Sequence, residues 1–405
     1  MMMMMMMVKS KSLHQVHSLL VRTSMLQDPH VDSLLYSVTN FLITYQKRAH
    51  STSTSPDLSS KNPLLTDFLM KSLEFPHHKA TTISSRFPRE SIQKPELVIR
   101  YFKSLGLSTA HMQLAVIRHP LALYADVDKT LKPKVDFCQE LGLRGPHLPI
   151  LIAKNPKLLT SSLDKRLKPS IGVIKRVLEC YRGKSTDDEI NLLLFHILSR
   201  YGWVLGNEAR LESNIAYLKS CGIVGSQLIM LLKTDLRLVS MREPELKGLV
   251  SRAVDMGIQM SSRMLVYGVK ALRSNSPETI SRKFGLFEEL GFRKEECSLM
   301  FVKAPVVFKA FEDKLRRSVD FFINTLGFNW SLLVGSTFFL NLSLERRMVS
   351  RLRVMELVKS RGVLKRHPSF VMVVLMTEDE FVNQFVSKYA KDLKVAYEKW
   401  HLGSS

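Results

Sequence analysis

Apolar residues recur along this chain at helical spacing, and one four-position face is repeated several times. Leu131, Val135, Cys138 and Leu141 stand at i, i+4, i+7 and i+10, and the same register returns at Leu211/Ile215/Leu218/Cys221, Leu246/Val250/Ala253/Met256 and Ile280/Phe284/Phe287/Leu290. That spacing predicts one amphipathic helix per unit. A residue-Gly-apolar step follows at Gly106, Gly142, Gly222, Gly257, Gly291, Gly327 and Gly362, at intervals of 36, 80, 35, 34, 36 and 35. The long interval reads as two periods divided near Gly183, with the polar run from Lys184 to Asp188 as a small insertion. Each glycine is expected to supply the left-handed residue past a helix end. Pro133 and Pro169 sit where a first helical turn tolerates a missing N–H.

A second helix is predicted after each glycine, as in Pro146 to Lys154. It should stop at His119-Pro120, Asn155-Pro156 and Ala304-Pro305, because a proline disfavours the helical state of the residue before it. In all three the proline falls 14 residues after the glycine. About ten residues then remain in each period, enough for a 3₁₀ turn back to the next first helix. Helix, helix, short turn, repeated about every 35 residues, predicts an all-α solenoid whose units bury their faces only against neighbours. No segment alternates apolar and polar residues as a strand would.

The N-terminal stretch breaks the pattern. Residues 1–60 carry five Lys/Arg against three acids, none of them before Asp28, with many Ser and Thr. Leu13, Val16, Leu19 and Leu20 share one face of a short amphipathic helix, as in an organelle transit peptide. The run from Lys47-Arg48 into Ser51-Thr52-Ser53 resembles a mitochondrial processing site, with the chloroplast as the other destination. The expected organisation is a transit peptide over 1–50, a disordered linker over 51–62, a repeat array over 63–398 and a tail over 399–405. The chain bears 59 Lys+Arg against 37 Asp+Glu, a net +22, and residues 1–60 account for little of it. So large a surplus self-repels unless an anionic partner screens it. Polynucleotide is the leading partner by that measure, an anionic membrane surface the second. No run approaches the 18 apolar residues of a membrane span.

Counted from the stop proline, an acid followed by a cation recurs as Asp128-Lys129, Asp164-Lys165 and Asp313-Lys314. A second cation follows at Lys132, Lys168 and Arg317, and Glu345-Arg346 looks like the same pair near the C-terminus. With Arg166, Arg316, Arg347, Arg351 and Arg353 these residues form a candidate ladder of phosphate contacts. The plainer alternative is that each Asp caps its turn and each Lys is a solvated neighbour. Tyr124, Trp203, Phe308, Phe311 and Trp330 are stacking candidates, each more simply read as core. Enzyme signatures fail. Gly183-Lys184-Ser185 lacks the glycine five residues earlier that a phosphate-binding loop needs, and GxGxxG and GxSxG are absent. The four cysteines form no CxxC pair, so neither a metal nor a cofactor is expected.

The glycine-to-proline spacing, Leu158-Leu159 and Val307-Phe308 after the stops, and Lys165-Arg166-Leu167-Lys168-Pro169 resemble repeats of the mTERF (mitochondrial transcription termination factor) family, plant-type branch. So do Leu342-Ser343-Leu344-Glu345-Arg346-Arg347 and the run from Phe381 to Tyr389. The resemblance covers residues 63–398. It implies a superhelix of repeats, each of two α-helices and a 3₁₀ helix. It also implies binding of organelle DNA or RNA in transcription termination, intron splicing or transcript maturation, as a monomer on nucleic acid and with other organelle transcription or RNA-processing proteins as possible partners. The sequence departs from the family pattern where Tyr201-Gly202-Trp203 and Asp235-Leu236-Arg237 lack the stop proline, and where Ser350 replaces a proline. A pentatricopeptide array shares the period but places its proline within a few residues of the glycine. A scaffold holding acidic proteins is the alternative of another class.

Overall fold

The computed structural model describes residues 62–87, 91–181, 183, 186–362, 368–389, 394–395 and 397–398, and every regular element there is helical. The expected transit segment 1–50, the linker through residue 61, the tail 399–405 and the Lys184-Ser185 part of the insertion lie outside the described residues. Two compact units are present, with described residues 62–342 in one and 343–398 in the other.

In the first unit, second helices pack on second helices and first helices on first helices. Thr109–Arg118, His147–Lys154, Asp187–Tyr201, Gly225–Ser240 and Leu265–Ser274 lie each against the next. Lys168–Cys180, Glu208–Ser220 and Glu243–Asp255 do the same. The result is the two-layered all-α repeat solenoid that the periodicity implies. The repeating face is its core: Leu131, Val135, Leu211, Ile215, Leu218, Cys221, Leu246, Val250, Ala253, Ile280 and Phe287 are all buried.

All seven glycines of the repeated step take positive φ, from 65° at Gly327 to 106° at Gly291. Two crossing hydrogen bonds close the helix end there. In the Gly222 turn, Ile223 N donates to the Leu218 carbonyl at 2.9 Å and Gly222 N to the Lys219 carbonyl at 2.9 Å. The same pair recurs around Gly106, Gly142, Gly257 and Gly291, which is a Schellman closure. At Gly291 the accompanying apolar contact is aromatic, with the Phe287 and Phe292 rings 5.7 Å apart. An earlier, weaker unit ends at Glu74, which takes the same left-handed conformation at φ 54° without being glycine.

The stop residues behave alike. His119 (φ −149°, ψ 76°), Asn155 (−137°, 61°) and Ala304 (−146°, 66°) leave the helix just before their prolines. Asp235 does so at −160°, 60° with no proline after it. There the fork of Arg273 takes the place of the ring constraint, donating from Nε and NH2 to the two Asp235 carboxylate oxygens at 2.8 and 2.7 Å. The turns that follow are 3₁₀ at Pro120–Tyr124, Gly202–Val204, Pro305–Lys309 and Thr337–Asn341, and one α turn at Lys157–Thr160.

The start of the first helix differs from expectation. Val127–Leu131, Leu163–Leu167 and Leu344–Val349 are π-helical turns. Pro133 and Pro169 come two residues after such a turn, and a widened turn moves the carbonyl four residues back away from the proline ring. Ser350 holds the equivalent position and donates from Oγ to the Arg346 carbonyl at 2.5 Å. The caps also lie elsewhere. Asp126, Ser162 and Ser343 accept from the backbone N–H groups of Lys129, Lys165 and Arg346 at 2.8, 3.3 and 3.3 Å. Asp128 and Asp164 are therefore not the capping residues, nor is Asp313, whose helix opens at Phe311 without a side-chain cap.

Two glycines separate backbone strain from crowding. A Cβ on Gly106 meets nothing within 4 Å, whereas one on Gly222 would lie 2.5 Å from Ser261 Cα. Gly106→Ala is expected to lose about 1–2 kcal/mol for the left-handed backbone alone. Gly222→Ala should lose roughly 1–3 kcal/mol more as the Ser261 backbone is forced away, a difference that urea denaturation of the two variants measures.

Candidate nucleic-acid interface

The second helices end in cations. Arg118, Lys154, Arg200, Arg273 and Lys303 occupy last turns, where the free carbonyls and the helix dipole favour positive charge by about 0.3–1 kcal/mol each, and Arg237 lies just past the stop at Asp235. Polar contacts between successive repeats place these ends side by side. Arg118 donates to the Lys154 carbonyl, and the His119 Nε2 and Thr160 Oγ1 are 2.8 Å apart. Asn155 Nδ2 donates to the carbonyls of Leu198, at 2.8 Å, and Ser199. Tyr201 OH donates to the Thr234 carbonyl, and Lys270 Nζ to Thr234 Oγ1 at 2.6 Å. One edge of the unit is thus a row of helix C-termini and 3₁₀ turns, the stop edge.

One basic stretch of it gathers Arg200, Arg237, Lys270, Arg273 and Lys309 near the acid Asp235. Arg237 Nε lies 3.4 Å from the Asp235 carboxylate already held by Arg273, and Arg200 stands over the Tyr201 ring at 5.5 Å. Burial pushes the Lys270 amine below its ordinary pKa, and the cations Lys309, Arg200 and Arg273 press the same way against Asp235. An anion laid on this surface would relieve that repulsion. Acids gather at the other ends of these helices, with Asp187, Asp188 and Glu189 in one first turn and Glu295 and Glu296 in another.

The cations singled out in the sequence fall into four groups. Lys129, Lys132, Lys165 and Arg166 are exposed at the π turns and the helix start after the stops, so they flank the same edge. Lys168, Arg316 and Arg317 are exposed but engaged. Lys168 pairs with Asp164 at 2.8 Å, which raises its pKa; Arg316 pairs with Glu289 at 2.9 Å; Arg317 Nε donates to the Asp313 carbonyl at 3.4 Å. Lys314 is half-buried, donating to the Asn341 carbonyl at 2.7 Å, and burial lowers its pKa. The remaining four belong to the unit 343–398, where Arg346 and Arg353 are exposed.

Against the expected ladder of phosphate contacts, Arg351 is a core residue. Arg351 is 0% exposed and serves that small core. It donates to the carbonyls of Val373 and Met376 at 2.8 Å each and to Glu378 at 2.9 Å, with its guanidinium 4.7 Å from the Phe381 ring centre. Those carbonyls end the short helix Phe370–Leu375, and the arginine satisfies them where a glycine closure is lacking. Arg347 is half-buried and donates to the Met376 carbonyl at 2.6 Å, with its pKa lowered by burial and then by Arg351. Arg351 is therefore closed to any phosphate, while Arg347 spends part of its guanidinium on that carbonyl.

Of the stacking candidates, Phe308 is buried at the centre of an aromatic cluster with Phe284, Phe287 and Phe301. Tyr124 packs on Phe87, and Trp330, 36% exposed, packs edge-on against Phe292. Trp203 and Phe311 are more exposed, at 50% and 86%. Among the described residues no cluster of His, Cys, Asp or Glu could hold a metal, and no helix is long and apolar enough to cross a membrane.

The mTERF family model matches residues 69–266 and 262–382. The chain belongs to the mTERF family. A curated relative, the chloroplastic transcription termination factor MTERF8 of Arabidopsis thaliana, is 23% identical over 277 residues, covering 68% of this chain and 52% of the relative. The chain spans about half the length of that relative.

The buried arginine gives a test of what is structural. Arg351→Ala should destabilise by about 3–5 kcal/mol, because Glu378 and several carbonyls lose their donor. Urea denaturation measures the loss, and Arg353→Ala, at an exposed position, should stay within about 0.5 kcal/mol.

Proposed function

We propose that this mTERF protein regulates organelle transcription by holding polynucleotide through its phosphates along the stop edge of residues 62–342. The observation that carries this reading is the set of five cations, Arg200, Arg237, Lys270, Arg273 and Lys309, near the acid Asp235. Lys129, Lys132, Lys165 and Arg166 widen the basic strip on the side of the first helices. The specific assignment is a part in transcription termination, which the name of the Arabidopsis relative supports, with double-stranded organelle DNA as the ligand. Residues 1–50 carry the organelle address in this proposal, mitochondrial by their composition, with the chloroplast of that relative as the alternative destination.

Binding by phosphate contacts makes a quantitative demand. Each lost contact lowers the slope of log K against log salt by about 0.7–0.9. Arg200→Gln/Arg237→Gln/Lys309→Gln is expected to flatten the slope for duplex DNA by roughly 2–3 and to weaken all sequences alike. Lys103→Gln/Arg144→Gln/Lys294→Gln removes as many exposed cations near the glycine turns. Those lie at the other end of second helices such as Lys294–Lys303, which is 10 residues and so about 15 Å long. An unchanged slope in the first variant, with loss in the second, would move the interface to the glycine side.

A further inference from the structure

Trp203 is the exposed aromatic residue whose surroundings form a site. It belongs to the 3₁₀ turn Gly202–Val204, one residue past the stop position. A cleft of about 380 Å³ opens there, lined by Arg166, Trp203, Gly206, Asn207, Arg210 and Ser240 among others. Three elements converge on it: the π turn Leu163–Leu167, the 3₁₀ turn itself and the start of the helix Glu208–Ser220.

The charge there is positive and unspent. Arg210 is flanked on its own helix by Glu208 and Glu212, yet both carboxylates face Arg176, at 3.9 and 2.6 Å. Arg166 and Arg210 are exposed, and neither makes an ion pair among the described residues. Asn207 spends its carbonyl oxygen on the helix cap, accepting from Arg210 N at 2.9 Å, which leaves its amide hydrogens to donate. An aromatic face, two unpaired guanidinium groups and a free amide donor together suit a flat heteroaromatic ring joined to a phosphate.

We propose that the cleft beside Trp203 binds one unpaired nucleotide, with its base on the indole face and its phosphate between Arg166 and Arg210. The proposal rests on the polynucleotide reading above and adds a preference to it. Bases inside a duplex have both faces covered by neighbours, so only an unpaired base can lie on an indole. The volume is at the small end of ligand sites, about 300–1,000 Å³, enough for a single nucleotide. The same chemistry is offered by a single-stranded segment of organelle RNA or DNA and by a free mononucleotide.

The test uses the full chain and three probes: a twelve-nucleotide oligouridylate, the blunt duplex of that strand with oligoadenylate, and uridine monophosphate. Trp203→Ala is expected to weaken oligouridylate binding about tenfold to a hundredfold, the contribution of one stacked base. Trp203→Phe should restore most of it, and duplex binding should change less than about twofold. Arg210→Gln, which leaves the turn intact, should weaken the strand about tenfold. Saturable binding of the monophosphate that Trp203→Ala abolishes would support the site and identify a free nucleotide as its source. Strand binding untouched by both Trp203→Ala and Arg210→Gln, with the duplex still bound, would overturn the cleft and leave the stop edge standing. Failure of the wild-type chain to bind either polynucleotide would overturn the broader reading and the cleft with it.

Discussion

The repeat depends on one backbone event, the abrupt end of each second helix at a residue with extended φ. Once the helix stops there, its last carbonyls are left without intrahelical partners, and they lie at the surface beside those of the next repeat. Arg118 on the Lys154 carbonyl, Asn155 on the carbonyls of Leu198 and Ser199, and Tyr201 on that of Thr234 answer this demand. Polar groups therefore bridge the repeats on the stop edge, while the apolar faces bridge them in the core. Proline enforces the stop at Pro120, Pro156 and Pro305. At Asp235, where no proline follows, the bidentate pair with Arg273 holds the same conformation, so the geometry persists although the residue that usually imposes it does not.

The charge distribution follows from the same event. Free carbonyls and helix dipoles collect cations at the stop edge, and free N–H groups collect acids such as Asp187 and Glu296 at the opposite ends. The dipole accounts for the last-turn residues, but Lys157 and Lys309 lie beyond the stops, in the turns themselves. Around Lys270 the positive charge exceeds what the local acid balances. A structural habit of the repeat has thus become a strongly basic surface, and a half-exposed indole interrupts it at one turn.

Much of this was legible in the sequence because the rules involved are local. Glycine at the helix end and proline after the stop act on their own neighbours, so Gly106, Gly142 and Pro156 could be read without knowing what surrounds them. The π turns were not legible, since they answer a clash between Pro133 or Pro169 and the turn behind it. The caps fell two residues before the acids first considered, on Asp126 and Ser162, for the same reason. The last-turn cations do carry a local signal: Arg118, Lys154, Arg200 and Lys303 each stand directly before the residue at which the helix stops. Arg351 had none. It lies in a basic run that reads as surface, and its burial is decided by carbonyls more than twenty residues away.

If the proposed interface is right, polynucleotide lies along the ends of the second helices. Ultraviolet cross-linking of the full chain to thiouridine-containing RNA and to iododeoxyuridine-containing duplex DNA, followed by mass spectrometry of the joined peptides, tests it most directly. The account predicts cross-links concentrated around Arg200 to Asn207, Lys233 to Ser240, Lys270 to Ser274 and Lys303 to Phe311. Cross-links concentrated instead around Gly106, Gly222, Gly257 and Gly291, with the stop edge unmodified, would contradict it.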